Sequence, residues 1–198
     1  MSDVAIAPTL QLLHRLAWEP GATMHNAWWS HLGLDSWHGY YSQYPRCRAS
    51  VDRLIVARRG YPVTALPSKL NAQQKALLTI EPRLPKLIIA LGLIALDSPD
   101  HLLVKMYRER LVPHLGERSC EQLLAVHSGW QSKACVSSPS DLVELALTIG
   151  TRWWQRDGAS CITATLLTSK LAPTLGGVTY ILPDESALDK IIKIDRFL

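Results

Sequence analysis

Residues 87–96 read LIIALGLIAL, the longest apolar run in the chain, with Pro85 and Lys86 directly before it. The run is too short for the roughly 18–20 residues that cross a bilayer. Proline suits the first turn of a helix, where its missing N–H costs nothing. The segment therefore predicts a buried helix over Lys86–Leu96, on which the rest of the chain must pack.

Helix signals recur on both sides of this run. Upstream, Thr9 is placed to cap a helix bearing Leu12, Leu13 and Leu16, which Glu19-Pro20-Gly21 ends. Residues 28–44 hold Trp28, Trp29, Trp37, Tyr40, Tyr41 and Tyr44 in an irregular order. Ser50 opens a short helix, SVDRLIVARR, stopped by Gly60, and Asn71 with Gln74 forms a capping-box pattern. Downstream, Ser98-Pro99-Asp100 starts a helix with Leu102, Leu103, Met106 and Leu111 inward. Ser119 with Gln122 suggests another capping box ahead of Leu123 and Leu124. Ser138-Pro139-Ser140-Asp141 starts an amphipathic helix with Leu142, Leu145, Ala146, Ile149 and Trp153 on one face. Cys161–Leu171 fits helix or strand, residues 178–182 (VTYIL) read as a short strand, and Asp184 is placed to cap a last helix. The expectation is a mainly α protein: a single compact helical domain over 1–198 with a minor β element near the C-terminus. It comprises an aromatic-rich region 1–60, a helical core 69–156 and a tail 157–198.

The composition excludes several classes. Hydrophobic residues make up 47% and charged residues 19% of 198, which is incompatible with a disordered chain. The net charge is only +4. Arg46, Arg48, Arg53, Arg58 and Arg59 form the one basic concentration, which Asp52 dilutes, whereas a nucleic-acid binder carries a denser stripe. Cys47, Cys120, Cys135 and Cys161 lack C-x-x-C spacing, and no basic n-region or secretory h-region opens the chain. Reduced thiols in a cytosolic protein are expected, with no metal, no cofactor and no membrane insertion.

Catalytic signatures are missing too. The sequence contains no G-x-S-x-G, no P-loop, no G-x-G-x-x-G and no H-E-x-x-H. His25, His31 and His38 stand at intervals without metal spacing. His127 and Ser128 are adjacent, which on a helix points them about 100° apart rather than toward each other. No enzyme is expected. The alternatives are a helical nucleic-acid-binding module using Arg46–Arg59 and a hydrolase using His25 or His127.

Seven tryptophans accompany a single phenylalanine, and Trp is enriched among interface anchors. Trp28-Trp29 and Trp153-Trp154 are adjacent pairs, so one member of each is a candidate for a docking surface. On the helix after Ser140, Val143, Leu147 and Trp154 flank the main apolar face and widen it to roughly 200°. Trp28, Trp29, Trp154, Val143 and Leu147 are therefore the candidate partner-binding residues.

Two stretches resemble a known family. Leu16–His25, LAWEPGATMH, is similar to the aromatic-acid-Pro-x-x-Tyr-x-His signature near the start of the OrgA/MxiK/YscK proteins, with Thr23 where the family often has Tyr and Met24 before His25. Arg83–Gly92, RLPKLIIALG, resembles their Arg-Leu-Pro segment entering an apolar helix. Order and separation agree, and the likeness covers residues 10–130. These proteins are the accessory (SctK) subunits of the type III secretion sorting platform. The resemblance implies a mostly helical adaptor without catalytic activity, cytoplasmic and peripheral to the inner membrane. It would link the cytoplasmic domain of the inner-membrane ring protein (SctD type) to the pod, or C-ring, protein (SctQ type). The motif residues Trp18, Glu19, Pro20, His25, Arg83, Leu84 and Pro85 are expected to serve structure.

Overall fold

A computed structural model describes residues 7–63, 65–127, 129–131, 138–174 and 180–198. Among them are twelve α-helices and no strand: α1 Pro8–Trp18, α2 Ala27–His31, α3 Asp35–Gln43, α4 Arg48–Arg59, α5 Ala72–Thr79, α6 Leu84–Leu96, α7 Asp100–Leu103, α8 Lys105–Leu115, α9 Glu117–Val126, α10 Leu142–Gly158, α11 Ile162–Leu167 and α12 Ala187–Asp195. The mainly α expectation holds. Cys161–Leu171 is helical. Of the strand expected at 178–182, residues 178 and 179 lie outside the described residues, and Tyr180–Leu182 are not strand.

The chain forms two compact units, Met1–Glu81 with Ala159–Pro173, and Pro82–Gly158 with Thr174–Leu198. In the first, α1 packs on α4, α5 and α11, burying Leu13, Leu16 and Ala17 together with Leu77, Leu78, Leu166 and Leu167. A second cluster joins Met24, Trp29, Leu34, Tyr41, Val51 and Ile55. Helix α4 ends where Gly60 turns left-handed at φ 77°, the conformation that glycine adopts at no steric cost. The capping box predicted at Asn71 is present in both directions: its side chain accepts from Gln74 N, and Gln74 accepts from Asn71 N.

In the second unit α6 is the buried helix its apolar run predicts, with Leu87–Leu91 wholly or almost wholly inaccessible and a proline in its first turn. It packs on α8, α10 and α12. The α6–α10 crossing is unusually close. A Cβ on Gly92 would stand 1.9 Å from Ala146 O, and one on Gly150 would stand 2.1 Å from Ile88 O. No side chain fits at either position. Asp157 ties the tail to α10 by accepting from Ala187 N at 2.6 Å, and Trp153 Nε1 donates to Glu185 O at 3.0 Å.

Several local expectations are corrected. Helix α1 starts at Pro8, one residue before Thr9, because proline takes the first turn and Ala7 becomes the cap. Helix α4 starts at Arg48, two residues ahead of Ser50. The helix expected from Asp100 breaks at Val104, whose ψ is 125°. That break turns Leu103 and Met106 outward, 60% and 56% exposed. Ser119 and Gln122 lie inside α9 rather than at its start, and Ser119 Oγ instead accepts from Lys86 Nζ at 2.8 Å. The cap of α12 is Ser186, not Asp184.

Candidate docking surface

Two of the five candidate anchors are core residues. Trp29 and Trp154 are buried, at 2% and 0% exposure. Helix α10 packs on three helices, α6, α8 and α12, enough neighbours to enclose a broad apolar sector. Val143 and Leu147 are half-buried on the same helix. Trp28 is half-buried as well, its Nε1 donating to Leu171 O at 2.9 Å and its ring edge-on to His31.

The motif residues stand at element boundaries. Trp18 and Glu19 close α1, and buried Pro20 opens a single 3-10 turn. Asp52 locks that turn by accepting from Gly21 N at 2.9 Å. His25 Nδ1 accepts from Ala27 N, and His25 N donates to Ser169 O at 2.8 Å. Arg83 pairs with Asp195 at 2.6 Å. Leu84 is buried at the start of α6 beside Pro85.

Trp18, at the end of α1, is 49% exposed, and the surface that presents a cluster of three aromatics to solvent is α3. Its Tyr41 points inward, where the hydroxyl donates to Asp52 at 3.2 Å and the ring meets Trp29. Burial pushes the Asp52 carboxyl above its ordinary range despite its hydrogen bonds from Gly21 and Tyr41. Burial, with the Asp52 charge, likewise raises the Tyr41 phenol. At 100° per residue, Trp37, Tyr40 and Tyr44, the last at the C-cap just after the helix, fall within about 60° of arc, beside the buried face. They are 44%, 55% and 52% exposed. Their rings form a chain, Trp37 to Tyr40 at 6.2 Å and Tyr40 to Tyr44 at 6.0 Å. The i, i+3, i+7 spacing was present in the sequence. Gly39 and the lack of aliphatic residues in DSWHGYYSQ hid the helix that gives it meaning.

Arginines border this stripe. Arg46 lies on the 3-10 turn Pro45–Cys47, which packs on α3. Arg48 Nε donates to Tyr41 O at 3.1 Å, with its guanidinium 5.6 Å from the centre of the Tyr41 ring. The rest of the Arg46–Arg59 run does not form one basic face. Arg58 donates to Leu32 O and Gly33 O, and Arg59 to Ala17 O and Tyr61 O. These two cations staple loops rather than meet a polyanion.

In the second unit, a cleft of about 280 Å³ is lined by Asp97, His127, Gln131, Trp153, Glu185 and Lys190 among others. His127 Nε2 stands 3.9 Å from Asp97 Oδ1 and stacks edge-on to Trp130. Burial and nearby Lys190 lower its pKa. Asp97 already accepts from Gln131 N, and Lys190 is paired with Glu185. Ser128, the other half of the hydrolase suggestion, lies outside the described residues, as does Cys135. Among the described residues no three His, Cys, Asp or Glu side chains converge as a metal site, and no helix is long and apolar enough to cross a membrane.

The family model of type III secretion system subunits matches residues 11–173. No curated protein and no solved structure matches the chain.

Proposed function

The chain belongs to the family of type III secretion system subunits, and on that premise we propose that it is an SctK-type, non-enzymatic adaptor of the cytosolic sorting platform. It would link the cytoplasmic domain of the inner-membrane ring protein (SctD type) to the pod protein (SctQ type) and stand at the inner membrane through the injectisome rather than by insertion. The observation that carries the reading is the family match over residues 11–173, which spans both the LAWEPGATMH and RLPKLIIALG segments in order.

Each unit supports it with its own exposed large hydrophobics: Trp37, Tyr40 and Tyr44 in the first, and Leu103, Val104 and Met106 in the second. Contiguous exposed apolar groups mark contact surfaces, and a linker needs at least two. The test is a clean deletion in the native host. Effector secretion should be lost while the membrane rings still assemble, and normal secretion would refute the adaptor role.

A further inference from the structure

Resting on that adaptor reading, we propose that the exposed face of α3 seats an acidic segment of a partner protein, its apolar side chains on Trp37, Tyr40 and Tyr44 and a carboxylate on Arg46. Tryptophan and tyrosine offer large, rigid contact area at low entropic cost, and interfaces favour them for that reason. Trp37 and Tyr40 are tilted against each other, Tyr40 stacks on Tyr44, and the row runs about 10 Å from Trp37 to Tyr44 at the C-cap. That length suits one turn or two of an incoming helix, or a few residues of extended chain.

Charge selects the occupant. From Ser36 to Val51 the sequence holds no Asp or Glu, yet it carries Arg46 and Arg48. Both are exposed, and neither makes an ion pair among the described residues. Arg48 donates to the Tyr41 and Ser42 carbonyls and lies within electrostatic reach of Asp52, so Arg46 is the cation left for a partner's carboxylate. The nearest acids do not cancel the field. Asp35 is about 170° round α3 from the middle of the aromatic stripe, and Asp52 is buried under Tyr41. An acidic chain gains charge-assisted hydrogen bonds here that a neutral or basic one lacks. Single-stranded nucleic acid also stacks on aromatics, but it is held along a positively charged groove, which Arg46 and Arg48 do not make.

The test titrates the full chain against three probes: the purified pod protein, the ring protein's cytoplasmic domain, and a labelled oligothymidylate of about 20 nucleotides. Arg46→Glu is compared with Trp37→Ala/Tyr40→Ala and the wild type at low and moderate salt. One protein probe should bind each variant about tenfold or more weakly, since truncated or repelled anchors dominate interface energies. Its affinity for the wild type should fall with salt, and the melting temperatures should not move. If the aromatic pair melts early, Arg46→Glu decides alone. Binding of both protein probes within twofold of wild type overturns the proposal and leaves the adaptor reading standing. A wild-type chain that binds neither overturns both, and a loss confined to the oligothymidylate assigns the face to nucleic acid instead.

Discussion

His101 is fully buried on α7, edge-on to Tyr107 at 5.3 Å, and neither ring nitrogen has a hydrogen-bond partner among the described residues. Burial lowers its pKa from 6.5, so the folded ring stays neutral where the unfolded one takes up a proton. Stability is then lost as pH falls below 6.5 toward the folded value. His127 acts in the same direction. We expect the melting temperature to drop between about pH 7 and 5, and His101→Phe to flatten that slope. Equal slopes in the two proteins would contradict this. Asp52 has the opposite sign. Its pKa is raised above 3.8 by burial, so its contribution is fullest at acid pH and is lost as pH rises through the folded value. Asp52→Asn should melt no earlier than wild type at neutral pH. Asp52→Leu leaves Gly21 N–H and the Tyr41 hydroxyl unpaired, at a cost of about 1–3 kcal/mol. Neither role was legible in the sequence, because each depends on what covers the side chain rather than on its neighbours in the chain.

At the scale of elements, the α6–α10 crossing holds the second unit together. Alanine normally improves a helix over glycine by about 0.5–1 kcal/mol. Gly39 on α3 has nothing within 4 Å of its absent Cβ, so Gly39→Ala should raise the melting temperature. Gly92→Ala and Gly150→Ala should lower it sharply, since each Cβ meets a backbone carbonyl that cannot yield. Similar shifts at all three would mean that the helices cross less closely. On α10, Trp153→Ala and Trp154→Ala should each cost about 3–5 kcal/mol, as large-to-small core changes do. A Trp154→Ala protein of wild-type stability would return that ring to the surface. Apolar period and caps made α5, α6 and the bulk of α10 readable in advance. The width of the α10 sector was readable too, but not its three neighbours or the burial of Trp154. The break at Val104 has no sequence signal of its own, so helical spacing alone places Leu103 and Met106 inward, where the structure exposes them.

For the whole molecule, membership of a type III secretion family was legible in two short motifs, while the exposed aromatic cluster was not. Among the motif residues, Pro20 opens the turn that Asp52 holds through Gly21 N, and Arg83 pairs with Asp195. Trp18 among them is 49% exposed, and a cluster of three further exposed aromatics lies at α3, whose sequence lacks an aliphatic stripe. The measurement that bears most directly on the adaptor role is light scattering during size-exclusion chromatography of three purified components: this chain, the pod protein and the ring protein's cytoplasmic domain. The account predicts one co-eluting ternary complex that separates into its pod and ring components when this chain is omitted. Pod and ring components that associate equally well without it, or a chain that co-elutes with neither, would contradict it.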